Sequence, residues 1–263
     1  MIPAAATRVA LCLPAEVALR VRPAAIDTAP METCCPVVEL RQYRLHPGAR
    51  ETLVRIFDEH FVESQERCGM RIIGQFRDLD DPDRFVWLRG FTDMESRTRA
   101  LAAFYGGPVW KEHAAAANAT MVDHTDVLLL KPVAGTAAFR FDPRLRPGPE
   151  SPDTPGGIVV ATIDHLADPA SPDAGPVTND TNGSEILARL VTETARNGYP
   201  RLPVREDANV LVTLRSYVDT PAYRASPIPS PGPHRRELRR LQPTRRSFLR
   251  HGLSPLPTGE RAG

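Results

Sequence analysis

The nonapeptide FVWLRGFTD at residues 85–93 returns as LVTLRSYVD at residues 211–219. Val86 matches Val212, Leu88 matches Leu214, Arg89 matches Arg215, Phe91 matches Tyr217 and Asp93 matches Asp219, at one constant offset without a gap. Whatever unit contains the first segment has to be built a second time, so the chain is read as a tandem of two similar folds. A length of 263 residues leaves room for a core in each.

The first copy is legible as a sequence of elements. VVELRQYRL (37–45) alternates and reads as a strand. Residues 49–68 place Leu53, Ile56, Phe57, His60 and Phe61 at helical spacing, and Gly69 stands where a C-terminal cap is expected. MRIIGQFR (70–77) and RFVWLRGF (84–91) are two further strands. Asp93 is the N-cap of a helix that ends at Gly106-Gly107, and Pro108 starts another. VLLLKPV (127–133) is the last strand. Strand, helix, strand, strand, helix, strand is the ferredoxin-like split βαββαβ unit.

The second copy is expected to be degenerate. GIVVATIDHL (157–166) supplies a strand, SEILARLVTETARNG (184–198) a helix, and RELRRLQPT (236–244) a final strand. ASPIPSPGP (225–233) occupies the place of its second helix, and proline interrupts a helix interior. The organisation is therefore a disordered extension over 1–35 (with Met31 a candidate start), a first unit over 36–134 and a linker over 135–156. A second unit over 157–250 and a tail over 251–263 follow. Residues 167–183 read as a mobile loop.

Each split unit has helices on one face of its sheet and a bare face on the other. Packing the bare faces together gives an α+β, two-sheet, barrel-like body. Strand parity then sorts the side chains. Val38, Leu40, Val86 and Leu88 are assigned to the helix side. Glu39, Arg41, Tyr43, Trp87, Arg89 and Phe91 are assigned to the inner face, with Arg215 as their counterpart in the second copy. Charges in such a place need a partner or a ligand. Glu39 pairing with Arg41 or Arg89 is one reading; a small, partly anionic ligand held by arginine against Trp87 and Tyr43 is the other.

Composition excludes several classes. A formal charge of +1 creates no field for nucleic acid or an anionic membrane, and no apolar run is long enough to span a bilayer. The basic tail HRRELRRLQPTRRSFLRHG (234–252) reads as a solvated edge strand with a trailing end. Cys12, Cys34, Cys35 and Cys68 form no C-x-x-C pair, so disulfides are not expected and a cytoplasmic location fits. No metal-ligand spacing, G-x-S-x-G or phosphate loop is present. His60 reads as a core histidine bonded to a backbone carbonyl, with a ligand role as the alternative. A haem would need His60 or His113 as its proximal ligand; no cofactor is expected.

ELRQYRLHPG (39–48), RFVWLRGF with Asp93, FYGGPVW (104–110), AANATMVD (116–123) and LLLKP (128–132) together resemble the NIPSNAP family, and RLQPTRRSFLR (240–250) is similar to the ending of its bacterial members. The resemblance is dense over 37–133, thin over 157–250 and absent from 1–35. It implies the dimeric α+β-barrel superfamily, whose members include cofactor-free monooxygenases, haem-handling enzymes, isomerases and non-enzymatic sensors. The family has no agreed catalytic residues to carry over, and its fold does not select a chemistry. The proline-rich segment 225–233 departs from the family pattern. Three functions follow as expectations: binding of a small molecule between the two sheets, a cofactor-independent oxygenase or isomerase, and a non-catalytic scaffold. The expected partners are a small-molecule ligand and a second copy of the chain.

Overall fold

A computed structural model describes residues 32–133, 139–141, 146–152, 157–167, 184–226 and 235–250. In chain order the elements are β1 (Glu32–Cys34), β2 (Val37–Leu45), α1 (Arg50–Ile56), a π-helical turn (Phe57–Phe61), α2 (Val62–Arg67), β3 (Arg71–Asp78) and β4 (Arg84–Phe91). Then come α3 (Met94–Gly106), α4 (Pro108–Asn118), β5 (Met121–Asp123), β6 (Val127–Pro132) and β7 (Phe139–Phe141). The second half adds β8 (Ile158–His165), β9 (Ser184–Thr192), β10 (Val210–Tyr217), α5 (Thr220–Ala225) and β11 (Arg235–Pro243).

The main sheet runs β4-β3-β11-β8-β10-β9-β6-β2-β5, and β2 also pairs with β4. Eight strands thus close into an antiparallel barrel, and β5 rides on the end of β2. Within the first half the order is β6-β2-β4-β3; within the second it is β11-β8-β10-β9. The connectivity is the same in both. Two seams join the halves, β3 to β11 and β6 to β9. β1 and β7 form a separate two-stranded sheet.

The barrel interior is aliphatic. Val38, Leu40, Val86 and Leu88 from the first half meet Val159, Ala161, Val212 and Leu214 from the second in one packed cluster. Phe85, Trp87 and Phe91 belong instead to the cluster beneath α1, α3 and α4. The expected assignment of faces is therefore inverted. The interior of an eight-stranded barrel is just wide enough for side chains to fill, and here aliphatic side chains from both halves fill it. The large aromatics and the charges take the helix side, where helices supply depth and partners. The inward side chains of the two halves pack against one another, and the cavity described below lies on the helix side instead.

The first helical segment is one path with a π-turn inside it, marked by the Val62 amide donating to the Phe57 carbonyl. It ends as expected at Gly69, whose φ of +94° lies where glycine is favoured. Gly69 N donates to Glu66 O at 3.0 Å and Met70 N to Gln65 O at 3.3 Å, a Schellman closure. The C-terminal arginines brace the π-turn. Arg246 donates to the Asp58 carbonyl at 3.2 Å and pairs with Glu63, and Arg245 reaches the Asp58 carboxylate at 3.2 Å.

Several expectations are corrected. Residues 184–192 form β9, not a helix. A bulge opposite Leu214 and Arg215 lets both Leu187 and Ala188 join the interior cluster, which breaks the period of two and imitates a helical pattern. β11 is no edge strand: it lies between β3 and β8, and its arginines are matched by acids, Arg236 with Asp164 at 2.5 Å and Arg240 with Asp80. Residues 32–34, assigned to a disordered extension, pair with 139–141, assigned to a linker. Arg146, also in that linker, donates to the Ile72 carbonyl at 2.6 Å. Cys34 and Cys35 are joined in a disulfide, with Cys35 at φ 76° and nearly buried. Gly90 makes room for it, since a Cβ there would collide with the Cys35 side chain. Residues 1–31, the loop core 168–183 and the proline-rich 227–234 lie outside the described residues. Among the described residues no helix is long and apolar enough to cross a membrane.

Candidate functional site

β2 and β4 lie side by side with Glu39 opposite Arg89, Arg41 opposite Trp87 and Tyr43 opposite Phe85. Alternation sends all of these toward the helices. Glu39 is completely buried and is surrounded by three arginines that are also completely buried. Its Oε2 accepts from Arg41 Nη1 at 2.6 Å and from Arg89 Nε at 2.8 Å; its Oε1 accepts from Arg97 Nε at 2.7 Å. Burial alone would raise the Glu39 pKa. The fields of Arg89, Arg41 and Arg97, with the hydrogen bond from Arg41, outweigh it and hold the carboxyl well below the usual range. Glu39 is thus a fixed anion.

The arginines reach outward from this anchor. Arg41 Nε donates to the Tyr43 hydroxyl at 2.8 Å. Arg89 Nη1 donates to Gln65 Oε1 at 3.0 Å and to the Tyr105 hydroxyl at 3.4 Å. Arg97 Nη1 donates to Asn197 Oδ1 at 2.9 Å, which ties the second half's loop after β9 onto α3. The guanidinium carbons of Arg89 and Arg41 stand 5.0 and 5.6 Å from the Trp87 ring centre. Burial pushes the Tyr43 phenol pKa up, and Arg41 pulls against that shift.

Above this floor is a cavity of about 360 Å³. Its walls come from α1 and the π-turn (Leu53, Phe57, Phe61), from α3 and α4 (Phe104, Tyr105, Trp110), and from the strands (Tyr43, Trp87). The loop after β9 closes it with Tyr199, Arg201 and Leu202, and Tyr199 stacks on Tyr105 at 6.3 Å. Asn197 shapes that loop by accepting from Tyr199 N at 3.0 Å and donating to the Leu202 carbonyl at 2.9 Å. Gln65 and His124 supply further polar atoms, and the His124 ring lies 6.2 Å from Tyr43.

Of the residues singled out in the sequence, Tyr43 and Trp87 line the cavity, and Glu39, Arg41 and Arg89 form the layer behind it. Phe91 is buried next to that layer, 5.7 Å from the Arg89 guanidinium. Arg215 is elsewhere, on the second half-barrel. It faces Val160, where Arg89 faces Glu39, and donates to Ser184 Oγ at 3.1 Å. His60 is not a core histidine. The π-turn shifts the helical phase and brings its ring, 36% exposed, onto His113 in a parallel stack at 3.7 Å.

Arg97, Gln65, Tyr105 and the 197–202 loop escaped the sequence reading. Arg97 left a signal: it shares one buried stripe with Ala100, Leu101 and Phe104, where an arginine is out of place. Tyr105 lies in the quoted FYGGPVW, read there only as the end of a helix. The loop left none, because 184–198 was read as helical. Among the described residues no group of His, Cys, Asp and Glu is placed to hold a metal ion.

Residues 38–135 match the model of the NIPSNAP family. Among solved structures, an uncharacterized NIPSNAP-like domain protein from Burkholderia xenovorans is 25% identical over 41% of this chain and 96% of its own, with a TM-score of 0.37. A NIPSNAP family protein from Agrobacterium tumefaciens is 17% identical over 38% of this chain and 95% of its own, with a TM-score of 0.36. A protein from Lactobacillus acidophilus described as a candidate monooxygenase is 11% identical over 80% of this chain and 97% of its own, with a TM-score of 0.45. No curated protein matches the sequence.

Proposed function

We propose that this chain, which carries a NIPSNAP-family domain over residues 38–135, binds a small, largely aromatic molecule in the cavity between its helices and the outer face of β2 and β4. The observation that carries this reading is the cavity itself: about 360 Å³, with eight aromatic side chains in its lining. That volume falls in the usual range for small-molecule sites, which are mostly apolar with a few placed polar groups. The two halves are read as copies of one ferredoxin-like unit, the second degenerate. Their common strand order supports this, as do the two matched helix caps, where Asp93 accepts from Ser96 N and Asp219 from Ala222 N.

Catalysis without a cofactor is a second reading, and what favours it is His124 in the lining, the one imidazole there. The scaffold reading has less support. The exposed large apolar residues among those described are Leu79, Val122 and Val218, too few for a broad docking patch.

The chain has two tryptophans, Trp87 and Trp110, and both line the cavity. Its intrinsic fluorescence is therefore a direct reporter of occupancy. Screening small aromatic compounds by fluorescence, with native mass spectrometry of freshly purified protein, tests the reading. Saturable quenching that is lost in Phe61→Arg, a change that fills the cavity with charge, is the expected result. Quenching unchanged by that substitution would place the ligand elsewhere.

A further inference from the structure

The polar atoms at the cavity floor each already accept from an arginine. A guanidinium offers five donors and no acceptor, so every group it touches is fixed as an acceptor. Arg41 takes the Tyr43 hydroxyl in this way, at 2.8 Å, and Arg89 takes Gln65 Oε1 at 3.0 Å and the Tyr105 hydroxyl at 3.4 Å. With one lone pair of each already engaged, Tyr43, Tyr105 and Gln65 still carry an O–H, an O–H and an N–H to offer the cavity. Three residues thus face one space with a donor each.

The charge behind them has the same sense. Three guanidiniums stand against one carboxylate, all fully buried, which leaves a sum of +2. Arg41 Nη2 and Arg97 Nη2 are buried with no acceptor among the described residues. The cavity lining contains no Asp or Glu, and it adds Arg201. Buried cationic charge with no counter-charge is unfavourable on its own and is relieved by an anion.

Resting on the reading of this cavity as a small-molecule site, we infer that its ligand is an aromatic oxyanion: a planar ring system bearing a carboxylate or phenolate. The rings lie among the aromatic walls. The oxygen sits at the floor, where it accepts from Tyr43, Tyr105 and Gln65 while the arginines behind polarise those donors. A hydrogen bond to a charged group is stronger than one between neutral groups, so the charge of the ligand should decide its affinity.

The test titrates the full chain with 2-naphthoate and with its neutral counterpart 2-naphthamide, following Trp87 and Trp110 fluorescence and heat of binding. Naphthoate is expected to bind roughly tenfold or more tightly than the amide. The preference should change little with added salt, because a buried pair is poorly screened, whereas an ion held on the arginine-rich surface would be released. Tyr43→Phe keeps the ring and removes one donor, and should shrink the preference to a few-fold. Equal affinity for the two compounds overturns the oxyanion class while leaving the cavity reading in place. A preference untouched by Tyr43→Phe, or abolished by salt, also overturns it. No response to either compound up to its solubility limit removes both readings.

Discussion

Glu39 has three arginine partners, while each of those arginines has Glu39 as its one acid within the cluster, and this asymmetry predicts how the cluster fails. Glu39→Gln leaves three buried guanidiniums with no counter-charge and should cost roughly 3–5 kcal/mol. Arg89→Ala leaves Glu39 still paired with Arg41 and Arg97 and lowers the net buried charge, so its cost should be smaller. Urea unfolding of the two variants checks the order. The same carboxyl fixes a pH dependence. Its folded pKa lies below its unfolded value, so its contribution is complete above the ordinary glutamate pKa of about 4.3 and is lost as pH falls from there toward the folded value. Wild type should lose stability faster than Glu39→Gln between about pH 4 and pH 2. At this scale the sequence was half legible. Parity grouped Glu39, Arg41, Tyr43, Trp87 and Arg89 on one face and suggested the Glu39–Arg89 pair. Parity cannot say which face is the inner one, because that is set by how much room each layer offers.

The π-turn between α1 and α2 carries Phe57 and Phe61 into the cavity and turns His60 away from it. Removing one residue from it should restore a regular α-helix and rotate the following turn by about 100°. Deletion of the exposed Glu59 is therefore expected to preserve helix content by circular dichroism and to abolish the fluorescence response to aromatic ligands. A deletion variant that still binds would show that the irregular turn does not set the pocket wall. Elements with strong local signals were read correctly: β2, β3, β4 and β6, the Asp93 cap, the Gly69 cap and the start of α4 at Pro108. β9 was not, because a bulge gives a strand two consecutive inward residues. The π-turn leaves no trace in composition, since it costs one residue of phase and nothing in residue type.

The repeat in the sequence pointed to two similar halves, though the second was read with a helix where β9 lies, and their closure into one barrel followed from the bare faces each would otherwise expose. The seams are short: β3 with β11 and β6 with β9 pair over three residues each, against eight for β2 with β4 and for β8 with β10. Residues 32–133 alone would present the β3 and β6 edges and an aliphatic face to water. That fragment should associate with itself, pairing β3 of one copy with β6 of another, and sedimentation should find dimers rather than monomers. The halves also differ in what they keep. Val160 stands where Glu39 would be, so the described residues of the second half hold no counterpart of the Glu39 cluster, yet its loop through Asn197, Tyr199 and Leu202 completes the cavity of the first. If the cavity is the site, the second half serves it as wall and closing loop. Across descendants of this gene, the half-buried outward Thr213 and Arg215 of β10 are then freer to drift, while the inward Val159, Ala161, Val212 and Leu214, the outward Val160 and Tyr217 that pack together, and the 197–202 loop are not. Inheritance would record the division of labour as two rates of change within one repeat.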